Sequence, residues 1–103
     1  MSKTKSENLS FVTRSFGRAT VAINSYRKGG GLAVGLIDQD NEPLAVLSVN
    51  IPESAHVLGK NEFFAKTWSE NEELAEDALA SGIFSATGRT SGGLLNAGIW
   101  RLN

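Results

Sequence analysis

Polar and apolar positions alternate, run together and then change period along this chain, and those changes mark its elements. Phe11 to Phe16 reads as a first strand. A tight turn at Gly17-Arg18 leads into a second from Ala19 to Tyr26, where Val21, Ile23 and Tyr26 stand among β-formers. Leu32 to Asp38 (LAVGLID) and Leu44 to Ile51 (LAVLSVNI) are nearly continuous apolar runs. Strands with both faces apolar or small belong in the middle of a sheet. Between them, residues 38–43 form a turn of side chains that hydrogen-bond their own backbone, and Pro52 closes the fourth strand. Glu62 to Lys66 is expected as a short extended piece. Leu94 to Leu102 resumes apolar character through Ile99, Trp100 and Leu102 and predicts a closing strand.

The period changes from two to about 3.6 in SENEELAEDALASGIF, Ser69 to Phe84. Ser69 followed three residues later by Glu72 has the form of a capping box, which predicts a helix beginning near Glu70. Leu74 and Ala78, with Ala75 and Leu79, form one apolar stripe, and Glu72, Glu73, Glu76 and Asp77 occupy the opposite side. Gly82 is placed to adopt the left-handed conformation that ends a helix, with Ile83 folding back on the last turn. A helix of about three turns is marginal alone and needs a sheet to lie on. The predicted fold is therefore α+β: an antiparallel sheet of four to five strands with one main helix on one face. Cover for the other face is expected from Val57, Leu58, Phe63, Phe64 and Trp68, or from a second copy of the chain.

With 103 residues, the chain suits one domain, read as 9–103 behind a flexible polar tail at 1–8. Hydrophobic residues make up 41% and charged residues 20%, an ordinary globular balance rather than a disordered one. Cysteine is absent, which removes disulfides and thiolate metal sites and permits a reducing compartment. No apolar run approaches the roughly 20 residues a membrane span needs, and the N-terminal stretch lacks a signal-peptide core. A soluble, cytoplasmic protein is expected, as a monomer or homodimer.

The formal net charge of -1 is unevenly distributed. Through residue 36, six bases face one acid (+5); from residue 37, four bases face ten acids (-6). The two halves either intersperse their charges by packing together or leave a bipolar surface.

Candidate chemistry is sparse. His56 is the only histidine, with no second imidazole or thiol to complete a metal site, and it is read as a surface residue. No G-x-S-x-G elbow is present. Lys28 before Gly29-Gly30-Gly31 lacks the order of a phosphate loop, and the glycines read as a connecting loop. The carboxylates of residues 38–42 lack the glycine and distal glutamate of a calcium loop. The chain is thus read as non-enzymatic, without catalytic residues, metal or cofactor. Arg89, in the T-G-R of residues 87–89, could present a bidentate fork to an anion, or could bridge internally to Glu70, Glu72 or the Asp38 turn. Trp68 and Trp100 are core residues or, if exposed, interface anchors. The residues selected for partner binding are Glu72, Glu73, Glu76, Arg89 and Trp68. Nucleic-acid binding would instead use Arg14, Arg18, Arg27 and Lys28 on the first hairpin, against a pI near 5.8.

From Phe16 to Leu102 the order of landmarks resembles a family of small domains of uncharacterised function carried on bacterial plasmids, phages and conjugative elements. The resemblance rests on E-P-L-A-V-L-S-V-N (Glu42 to Asn50), S-E-N-E (Ser69 to Glu72) and T-G-R (Thr87 to Arg89). It implies an accessory role, with a host protein or protein complex as partner, and an inhibitor of a CRISPR or restriction system as one form of that role. It brings no catalytic residues.

Overall fold

A computed structural model describes the backbone of residues 4–29 and 31–103 and the side chains from residue 9 onward. The fold is α+β, with two four-stranded antiparallel sheets and one main helix. The first sheet holds β1 (Thr4–Thr13), β2 (Gly17–Ser25), β3 (Leu32–Ile37) and β4 (Pro43–Val46), in sequential order. The second holds β5 (Ser48–Val49), β6 (Glu62–Ala65), β7 (Phe84–Thr90) and β8 (Gly98–Leu102), in the order β5-β6-β8-β7. Between β6 and β7 lies α1 (Glu72–Ala80).

The antiparallel pairing and single helix follow the alternation in the sequence, but one strand expected whole is divided. Leu44 to Ile51 breaks at Leu47, where the chain leaves one sheet for the other. The Leu47 N–H donates to the Val34 carbonyl at 2.8 Å, and its own carbonyl accepts from the Lys66 N–H at 2.6 Å. Leu47 is fully buried between the two. At the same crossing the Ser48 hydroxyl accepts from the Val34 N–H at 2.9 Å and lies 2.8 Å from the Tyr26 hydroxyl. The nearly continuous apolar run from Leu44 to Val49, interrupted only by Ser48, concealed the switch, because both sheets want apolar residues on either side of Leu47.

The main core lies between the inner face of the first sheet, one face of the second, and α1. Phe11, Val21, Ile23, Val34 and Leu36 meet Phe63, Phe84 and Trp100 there, with Leu74, Ala75 and Ala78 of the helix. Phe63 stands edge-on to Phe84 and Trp100, with centroids 5.6 and 6.1 Å apart, contacts of about 0.5–1.5 kcal/mol each beyond area burial. A smaller cluster of Ile51, Phe64, Ala97 and Ile99, with Leu58 and Trp68 packed on it, covers the other face of the second sheet. Of the residues expected to provide cover, Leu58 and Trp68 do so, Phe63 and Phe64 are strand residues of β6, and Val57 is exposed.

Several boundaries move. Residues 4–8, expected as tail, form the start of β1, with Thr4 opposite Ile23; residues 1–3 lie outside the described residues. The first turn falls at Arg14–Phe16, before Gly17. Residues 87–90, expected as loop, complete β7 around a bulge, and Leu94-Leu95, expected in the last strand, are the exposed tip of the β7–β8 hairpin. The extended reading of Glu62 to Lys66 holds in β6.

The helix starts differently from its capping-box prediction. Ser69 has φ +58°, and Ser69–Asn71 form a 3₁₀ turn before α1 begins at Glu72. Asn71 precedes the helix without a side-chain cap bond. Its end matches the prediction more closely: Gly82 has φ +84° and its N–H donates to the Leu79 carbonyl. The Ser81 hydroxyl donates to the Ala78 carbonyl at 2.6 Å and accepts from the Ile83 N–H at 3.1 Å, bridging the step that Ile83 would otherwise make directly. Leu74, Ala75 and Ala78 are buried as expected, whereas Leu79 at the stripe's edge is 37% exposed.

Candidate functional site: the acidic face of the helix

Four carboxylates project from α1, and the β1–β2 turn is bound to three of them. The backbone N–H of Arg14 donates to Asp77 Oδ2 at 2.9 Å, and its Nε to Asp77 Oδ1 at 2.8 Å. The same guanidinium reaches Glu76 Oε1 at 2.8 Å and lies 3.8 Å from Glu73. The Ser15 hydroxyl donates to Glu73 Oε1 at 2.7 Å. The turn itself is closed by Thr13, whose hydroxyl accepts from the Phe16 N–H and donates to the Gly17 carbonyl, both at 2.8 Å. This leaves the Phe16 side chain half exposed.

The electrostatics follow from that geometry. Asp77, with a side chain only 12% exposed, is held below the ordinary carboxylate range by the Arg14 backbone N–H and then by its guanidinium. Arg14 is pushed further up by hydrogen bonds to Glu76 and Asp77. Outside this cluster, Lys66 Nζ donates to Glu70 Oε2 at 2.7 Å, which lowers the Glu70 pKa. Glu72 is exposed and forms no ion pair among the described residues. Among the described side chains, four carboxylates against one guanidinium leave this face a net -3. It is a solvated acidic surface into which the Arg14 guanidinium is woven.

The other residues selected from sequence are placed elsewhere. Arg89 forms an internal bridge, as one reading expected, but to Glu62 rather than to Glu70, Glu72 or the Asp38 turn. Glu62 is 8% exposed, also accepts from the Gly59 N–H at 2.7 Å, and is held below its usual pKa, first by Arg89 and then by Gly59. Arg89 further donates to the Val57 carbonyl at 3.0 Å, tying the 3₁₀ turn Pro52–Val57 to β7. Gly88, at φ +85°, makes the bulge that brings Arg89 there, and the Thr87 hydroxyl spans it by accepting from the Arg89 N–H and donating to the Ile99 carbonyl. Trp68 is half-buried and Trp100 buried, both within the cores.

The basic first hairpin does not gather into one patch. Arg14 is committed to the helix, and Arg18 donates to Ser10 at 2.8 Å. Arg27 and Lys28 lie beyond the opposite end of β2, roughly 27 Å away at about 3.3 Å per residue. The glycine run serves packing: a Cβ on Gly29 would fall 2.9 Å from Pro52 Cα, and one on Gly31 2.6 Å from Leu58 Cδ1; Gly30 lies outside the described residues. The Asp38 turn is closed by Asp38 Oδ1, which accepts from the Asp40 and Glu42 N–H groups, and His56 is exposed. Among the described residues no group of His, Asp and Glu is placed to hold a metal ion, and no helix is long and apolar enough to cross a membrane.

Sequence reasoning missed the role of Asn71. It is 1% exposed, and its Nδ2 donates to the carbonyls of Val46 at 2.7 Å and Lys66 at 3.1 Å. It thereby ties the helix entrance to the ends of β4 and β6. Its place within S-E-N-E, just ahead of an apolar stripe, was a cue to a helix-entry role, though it named neither carbonyl. Together the fold and this surface define a small α+β domain bearing an acidic helix clasped by an arginine turn. Compared with protein-family models, curated proteins and solved structures, the chain matches none.

Proposed function

We propose that this chain is a non-enzymatic protein-binding domain whose contact surface is the acidic face of α1 with the adjoining β1–β2 turn, and whose partner presents a basic surface. The observation that carries the reading is the net -3 that the described side chains leave on the helix after Arg14 has bound its three carboxylates, next to a half-exposed Phe16 in a turn that Arg14 and Ser15 hold in place. Complementary charge favours encounter and orientation, and an aromatic side chain supplies area that a carboxylate rim lacks. The resemblance to mobile-element domains supports the narrower form, an accessory protein that occupies a host protein complex, such as an inhibitor of a CRISPR or restriction system, in the cytoplasm.

Two probes test the class of partner. At low salt the protein is expected to bind a lysine-rich polypeptide and to leave random duplex DNA free. Micromolar binding to DNA that weakens steeply with added salt, without binding to polylysine, would overturn the reading in favour of a nucleic-acid accessory factor.

A further inference from the structure

We draw no further inference here: the strongest candidate, the exposed Leu94-Leu95 pair at the tip of the β7–β8 hairpin, carries nothing because nothing in the structure shows what covers it.

Discussion

Asn71 turns its carboxamide away from the helix it precedes and toward two carbonyls in other segments. This orientation reverses the usual expectation for the position. Aspartate is ordinarily as good as asparagine before a helix, because either oxygen can accept from the first N–H groups and a negative charge suits that end. Here the group that matters is the donor, so a carboxylate would set charge against the Val46 and Lys66 carbonyl oxygens in a buried site. Asn71→Ala should cost about 1–3 kcal/mol through the stranded acceptors, and Asn71→Asp should cost more at neutral pH. Urea denaturation of both variants checks this, and an Asp variant as stable as wild type would show a capping role. The glycines divide on similar grounds. Gly31→Ala must strain a φ of +86° and displace Leu58, about 1–3 kcal/mol. Gly82→Ala meets nothing within 4 Å and carries only the backbone cost, about 1 kcal/mol. Thermal melts should rank Gly31→Ala below Gly82→Ala; the reverse order would mean that Leu58 moves aside freely.

The three sequence motifs that looked most specific are joints between elements. Glu42 to Asn50 contains the Leu47 crossing, Ser69 to Glu72 the 3₁₀ entrance to α1, and Thr87 to Arg89 the bulge that delivers Arg89 to Glu62. Strand identity was legible from apolar alternation, and the helix from its stripe and terminal glycine, because these are local properties. Joints were not, because their partners are distant: Glu62 and Arg89 are 27 residues apart, and Arg14 and Asp77 are 63. Spacing can show that Arg89 is placed to pair, but not which carboxylate will meet it. Removing the guanidinium leaves a nearly buried carboxylate with the Gly59 N–H as its remaining hydrogen-bond donor and only the through-space attraction of Arg101 beside it, so Arg89→Met should lose about 2–3 kcal/mol, measured by urea unfolding. A loss under 0.5 kcal/mol would mean that water replaces the arginine. Glu62 and Asp77 both have pKa values lowered by folding. Their contribution is therefore complete above the unfolded carboxylate range, near 4, and fades as pH falls from there through the lower folded values. Melting temperature should decline below about pH 4. In Arg89→Met that decline should be shallower, since Glu62 then gains less from ionising.

At the scale of the whole molecule, the two sheets differ in how they meet solvent. The second is covered on both faces, whereas among the described residues the first buries only its inner face against the core. Among the described residues every free strand edge is interrupted: β1 by a register shift between Lys5 and Ser10, β4 by Pro43 and the shift beside it, and β7 by the Gly88 bulge, while β5 has only two residues. Such edges resist addition of another strand. The opposite charges of the two halves of the sequence are partly reconciled where Arg14, from the basic half, enters the acidic helix; the remainder stays on the helix as net negative charge. The most direct measurement is affinity capture from a cell lysate with three forms of the protein: wild type, Glu72→Lys/Glu76→Lys, and a control reversing two exposed acids elsewhere, Glu42→Lys/Glu53→Lys. Each form is first shown by circular dichroism to be folded. The helix variant is expected to lose at least tenfold of the partner recovered by wild type, while the control retains it. Equal recovery by the helix variant and wild type would contradict the acidic face as the contact surface.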